Sequence, residues 1–147
     1  LMVRLKHAYI VKCEDFKKDA DGNVTEIYCT YIPESKSGHD TSGINVKGTI
    51  HWVSVPHAKT AEVRLYDRLF KVEDPSNEEG DFKDYINPDS LQIASAYVEP
   101  DLANAETGRG YQFIRKGYFT LDRLSTDEKL VFNRTVTLKD GWKAPVK

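Results

Sequence analysis

The chain has 147 residues, 39% hydrophobic and 30% charged, with eight Tyr, six Phe and two Trp and a formal net charge of −2. That length admits one ordinary domain or two small barrels and excludes two large domains, while the apolar content excludes a wholly disordered chain. No apolar run approaches the roughly 20 residues of a membrane span, and Leu1-Met2-Val3-Arg4-Leu5-Lys6 is no basic-then-apolar leader, so the protein reads as cytoplasmic. The strand-like opening, with Met2 inside it, reads as the beginning of a piece cut from a longer polypeptide.

The dominant period is two, interrupted by turn residues at short intervals, which predicts an all-β chain of antiparallel strands closed into barrels. From Tyr9 to Tyr31, two alternating runs flank Asp19-Ala20-Asp21-Gly22-Asn23, a hairpin signal that supplies positive-φ residues. A reversal centred on Asp21 sets Val11 opposite Tyr31 and Cys13 opposite Cys29, and the two thiols read as small buried groups in a sheet. Residues 33–45 are polar and aperiodic, a long exposed loop with mobile character. Val46 to Ser54 alternates with Val46, Gly48, Ile50 and Trp52 inward, and Ala61 to Phe70 gives another strand with Val63, Leu65 and Leu69 on one side.

An acidic loop over 73–81 leads to one helical turn, Phe82 to Ile86, closed by Asn87-Pro88, and Leu91 to Val98 returns to strand. Strands follow near Tyr111 to Arg115, Gly117 to Asp122 and Leu130 to Leu138. Charge is divided along the chain: residues 72–106 carry ten acids against Lys83, a net −9, and residues 109–147 carry nine bases against four acids, a net +5. With Arg4, Lys6 and Lys12 at the other end, the two ends of the chain are locally basic.

Chemistry is sparse. Cys13 and Cys29 have no CxxC partner, and His7, His39, His51 and His57 lack metal-ligand spacing, so neither a zinc site nor any other metal site is expected. There is no P-loop, GxSxG or dinucleotide fingerprint, and Glu78-Glu79 lies in a solvated loop, so no catalytic residue is assigned to this piece. What remains is aromatic side chains interleaved with forked donors, Tyr111-Gln112-Phe113-Ile114-Arg115-Lys116-Gly117-Tyr118-Phe119 and Phe132-Asn133-Arg134-Thr135-Val136. Gln and Arg offer two hydrogen bonds in one plane to a base edge and aromatic rings stack on unpaired bases, although aromatic residues at period two equally describe a barrel core.

Several strings, in order and covering Val3 to about Trp142, resemble the C-terminal anticodon-binding region of glutaminyl-tRNA synthetases. They are Val3-Arg4-Leu5-Lys6-His7-Ala8-Tyr9, Val46-Lys47-Gly48-Thr49-Ile50-His51-Trp52-Val53-Ser54, Arg64-Leu65-Tyr66-Asp67-Arg68-Leu69-Phe70, Ile86-Asn87-Pro88-Asp89-Ser90-Leu91, Gln112-Phe113 with Gly117-Tyr118-Phe119, and Val131-Phe132-Asn133-Arg134-Thr135-Val136. Some are shared with glutamyl enzymes of the archaeal and eukaryotic type. The resemblance implies two β-barrels gripping the anticodon loop: a partial proximal barrel from 1–12 and 100–147, and a distal barrel from 13–99, similar to the ribosomal protein that binds 5S rRNA. It implies an upstream class I catalytic domain that binds ATP and attaches glutamine to tRNA(Gln), with no cofactor in this piece and a monomeric whole.

By resemblance, Arg4 faces the first anticodon base, and Gln112 and Arg115 face the middle one. Lys6 and Lys139 stand where relatives place arginine, keeping the charge and losing the bidentate fork. Ile114 replaces an acidic contact to the third base. Strict alternation puts Gln112 and Arg115 on opposite faces, so their joint action requires a bend between them. Two other classes compete: a free-standing ribosomal-type RNA-binding barrel, and an acidic protein-interaction module without salt-dependent RNA affinity.

Overall fold

A computed structural model of the protein describes residues 1–138. The chain divides into two compact units, Leu1–Trp52 and Val53–Lys147.

In the first unit, β1 (Met2–Leu5), β2 (Ile10–Lys18), β3 (Val24–Ile32) and β4 (Thr49–Ile50) form one sheet in the order β3-β2-β1-β4. The β2–β3 reversal forms because the Asp19 carboxylate accepts from the backbone N–H groups of Asp21 and Asn23 (3.0 and 2.8 Å) and Gly22 supplies a φ of +85°. The resulting register pairs Val11 with Tyr31 and Cys13 with Cys29, as the hairpin signal predicts. A shift between Cys13 and Asp15 then leaves Glu14 without an opposite residue. Beyond that bulge the ribbon stands in solvent, with Phe16, Ile27 and Tyr28 exposed. The thiols are not both buried: Cys13 is half-buried and Cys29 exposed.

The strand expected over Val46 to Ser54 contracts to Thr49–Ile50, paired in parallel with β1 through Arg4↔Thr49 and Leu5↔Ile50. Ile50 and Trp52 are about two-fifths exposed rather than inward. The Trp52 indole is held instead by its Nε1–H, which donates to the Lys6 carbonyl at 3.0 Å.

In the second unit, β5 (Lys59–Tyr66), β6 (Leu91–Val98), β7 (Gly110–Phe113), β8 (Gly117–Leu121) and β9 (Leu130–Val136) form a sheet in the order β6-β5-β9-β8-β7. Alternation along β5 and β9 sends Ala61, Val63, Leu130 and Phe132 into one core with Val98 and Phe119. Phe113 stacks on Phe119 at 4.3 Å between ring centres, and Phe113 and Tyr111 meet Phe132 at 5.3 and 6.2 Å. Full burial of a ring such as Phe132 stabilises by about 1.5–3 kcal/mol.

Parts of the resembling strings act as brackets for this sheet. Arg64 on β5 donates to Glu62 (2.8 Å) and to Asp122 (3.3 Å) just past β8, and Asn133 on β9 donates to the same Asp122 oxygen at 2.5 Å. Arg134 reaches the Tyr66 carbonyl at 3.1 Å. Between β5 and β6 the acidic excursion is punctuated by short 3-10 turns at Pro75–Asn77 and Phe82–Tyr85, each opened by an aspartate cap, Asp74 and Asp81. The second is the predicted helical turn, tightened to 3-10.

The chain is all-β, as its period of two implies. Each sheet contains one parallel pair, β1–β4 and β5–β9, and neither sheet closes on itself among the described residues. The strands also group differently from the partition into 1–12 with 100–147 and 13–99: β1 shares its sheet with β2 and β3, and β5 and β6 share theirs with β7, β8 and β9.

Candidate nucleic-acid interface

In the first unit, Arg4 sits mid-strand, its N–H donating to the Gly48 carbonyl at 2.9 Å and its Cα paired with Ile10 and Thr49. Its side chain does not hang free in solvent. Nη1 donates to the Ser35 carbonyl at 2.6 Å, and Nη2 pairs with the Asp40 carboxylate. Ser35 is fully buried, with its hydroxyl donating to the Ile32 carbonyl and accepting from the Ile10 N–H. Asp40 uses its other oxygen to accept from the Ser42 N–H and hydroxyl, at 2.8 and 2.6 Å. The Ser42 hydroxyl and N–H, followed by the Arg4 guanidinium, hold the Asp40 carboxyl below the usual aspartate range. The loop read as mobile is thus folded back on Arg4 and tied further by Ser37 N–H to Ala8 O (2.9 Å) and Thr41 N–H to Glu34 O (2.8 Å).

Lys6 follows β1 in the tight turn to β2, where Leu5 accepts from the Ala8 N–H, its own N–H donates to Tyr9 O, and His7 takes a left-handed φ of 58°. Lys6 is half-buried, with its N–H donating to the Ile50 carbonyl at 2.9 Å. Arg4 and Lys6 therefore flank one strand end in one unit, and Gln112 and Arg115 belong to the other.

On β7, Tyr111 and Phe113 are committed to the aromatic core, so alternation turns Gln112 to the open face opposite Tyr118, whose ring is also exposed. The strand stops at Phe113. Lys116 N–H closes a turn on the Phe113 carbonyl at 2.8 Å, Arg115 adopts a left-handed φ of 64°, and Gly117 reopens the chain at +140°. Arg115 consequently lies in a turn and not on the opposite face of a flat strand. That supplies the bend which joint action with Gln112 requires. Such a φ is uncommon for a residue with a Cβ, and positions of this kind gather at functional turns. Arg109 lies over the Tyr111 ring at 5.8 Å, adding a cation beside the same strand. Lys139 lies outside the described residues.

Among the described residues no group of three or more His, Cys, Asp or Glu side chains is placed to hold a metal ion, and no helix is long and apolar enough to cross a membrane. The shifted acids have structural partners: Glu62 is held below its ordinary range by Lys129 and Arg64, and Asp122 by the Leu124 N–H and the Asn133 amide. The residue that sequence reasoning missed is Asp40. Its signal is the Asp-x-Ser spacing, which favours a side chain bonding to the backbone two residues on.

Known proteins resemble the chain along most of its length. The family model described as tRNA synthetases class I (E and Q), anti-codon binding domain, matches residues 49–122, and a second model of the same description matches residues 1–32. The glutamine–tRNA ligase of Rhodopirellula baltica is 59% identical over 142 residues, which is 95% of this chain and 24% of the relative. Those of Proteus mirabilis and Vibrio parahaemolyticus are 54% and 55% identical over 140 and 141 residues, each alignment covering 95% of this chain and 25% of the relative. The chain spans about a quarter of the length of these curated relatives. It belongs to the anticodon-binding domain family of the class I E and Q tRNA synthetases.

Proposed function

We propose that the chain is the anticodon-reading part of a cytoplasmic, monomeric glutamine–tRNA ligase and that it grips the anticodon loop of tRNA(Gln). The observation that carries this reading is the turn after Phe113. Alternation along β7 points Gln112 outward between neighbours locked in the core, and the turn sets Arg115 in a bend just after it. Unpaired bases are recognised on their edges by such planar groups, the Gln amide offering a donor beside an acceptor and the guanidinium two donors, and Arg or aromatic faces add stacking. Arg4 takes the first anticodon base, Gln112 and Arg115 the middle base, and Lys6 and Lys139 the neighbouring phosphates, where a point charge serves without a fork. Glutamine and ATP bind in the part of the protein outside this chain, and anticodon contacts favour productive docking of the acceptor end there. The relatives' names favour glutamine over glutamate.

Filter binding and charging with the full-length protein test this. Cognate tRNA(Gln) binds more tightly and is charged more efficiently than a version with a substituted anticodon, and affinity falls with rising salt as counterions are released. Equal affinity and equal charging for both tRNAs would end the proposal.

A further inference from the structure

Asp40 is fixed at both of its oxygens. Oδ1 accepts two hydrogen bonds from Ser42, at 2.8 and 2.6 Å, and Oδ2 pairs with Arg4 Nη2. Ser42 is itself locked, its hydroxyl accepting from the Ile44 N–H at 3.2 Å. On the other arm of the guanidinium the Ser35 carbonyl accepts from Nη1 at 2.6 Å, and Ser35 is anchored by the β2 backbone through its buried hydroxyl. Two rigid acceptors on two separate nitrogens determine the plane of the guanidinium, which one acceptor would leave free to rotate. The Arg4 side chain keeps about a fifth of its surface open.

We infer that Asp40 is a positioning residue that aims Arg4 at the neutral acceptor edge of a nucleobase and away from phosphate. Two physical reasons support this. An arginine ordered before binding loses little rotamer freedom on contact, so its hydrogen bonds are expressed as affinity for the matching base. A carboxylate beside the guanidinium also repels a phosphate oxygen approaching the same cation, whereas an uncharged carbonyl or ring nitrogen meets no such penalty. Lys6, which has no carboxylate partner of this kind among the described residues, is suited to the opposite task. The inference rests on the reading that Arg4 contacts the anticodon.

The test uses the full-length protein and tRNA(Gln) transcripts substituted singly at each anticodon base. Asp40→Asn keeps the shape while removing the charge, and Arg4→Ala, Asp40→Glu and thermal midpoints complete the set. Asp40→Asn should reduce discrimination at the first anticodon base by about two- to tenfold, the cost of ordering one long side chain, and leave the other two ratios unchanged. Asp40→Glu should restore part of it. If Arg4→Ala lowers that ratio and Asp40→Asn does not, the positioning role is wrong and the anticodon reading stands. If Arg4→Ala alters no ratio, the assignment of Arg4 itself falls. A uniform loss at all three bases with a lowered midpoint makes Asp40 merely structural. A uniform gain in affinity makes it a competitor of RNA. Either result overturns the inference.

Discussion

Gly117 opens β8 at a φ of +140°, and a methyl group built on it lies 2.6 Å from the Val136 carbonyl oxygen. That oxygen belongs to the β9 backbone, so it cannot rotate aside as a side chain would. Gly117→Ala therefore meets two costs. The left-handed backbone disfavours a Cβ by about 1–3 kcal/mol, and forcing an atom into a packed sheet adds about 1–3 kcal/mol. Gly108 provides the control, because it too has a positive φ, +82°, and a methyl group there meets nothing within 4 Å. Gly108→Ala carries only the backbone cost, and the entropy lost from the unfolded chain is common to both variants. Scanning calorimetry should place Gly117→Ala below Gly108→Ala by the steric part alone, about 1–3 kcal/mol, or at least about 4 °C in midpoint for a unit of this size. Equal shifts for the two variants would refute the close approach of β8 to β9 and with it the geometry of the turn that presents Arg115.

Other expectations follow from single residues. Phe132→Ala removes the ring on which Tyr111 and Phe113 pack and should cost about 3–5 kcal/mol in urea unfolding of the second unit. Asp122 has its carboxyl pKa depressed in the folded state, so its contribution is present above the unfolded value and is lost as pH falls through 3.8 and below. Asp122→Asn should therefore flatten the acid limb of a stability-versus-pH curve, and an unchanged limb would contradict the bracket between β5, β8 and β9. In the native protein Cys29 should react with a thiol reagent faster than half-buried Cys13, while both react in urea. Equal native rates would contradict the described exposure.

Much of the architecture was legible because local chemistry decides it. The Asp19 to Asn23 reversal names its own turn, and once that is centred the period of two gives Val11↔Tyr31 and Cys13↔Cys29 without further information. Leu91–Val98 coincides with the strand predicted there. The parallel pairs were not legible: nothing in Thr49-Ile50 or Leu130 to Asn133 says that a strand distant in sequence will lie beside β1 or β5. Trp52 misled for the same reason, since alternation assumes a sheet long enough to have an inside, and β4 is two residues long. At the candidate interface the forked donors could be found by type. The turn that relieves the conflict between Gln112 and Arg115 depends on a left-handed arginine, which composition does not announce. Asp40 was hidden because its partner lies 36 residues away, and a polar loop looks alike in sequence whether it is free or folded onto an arginine.

The central claim is that Gln112 and Arg115 read the middle anticodon base, and a double-mutant cycle between protein and RNA tests it most directly. Gln112→Ala and Arg115→Ala in the full-length protein should each weaken binding of tRNA(Gln) by about 1–3 kcal/mol and have little further effect on a transcript substituted at that base. An equal loss with both tRNAs, or no loss with either, would contradict the account.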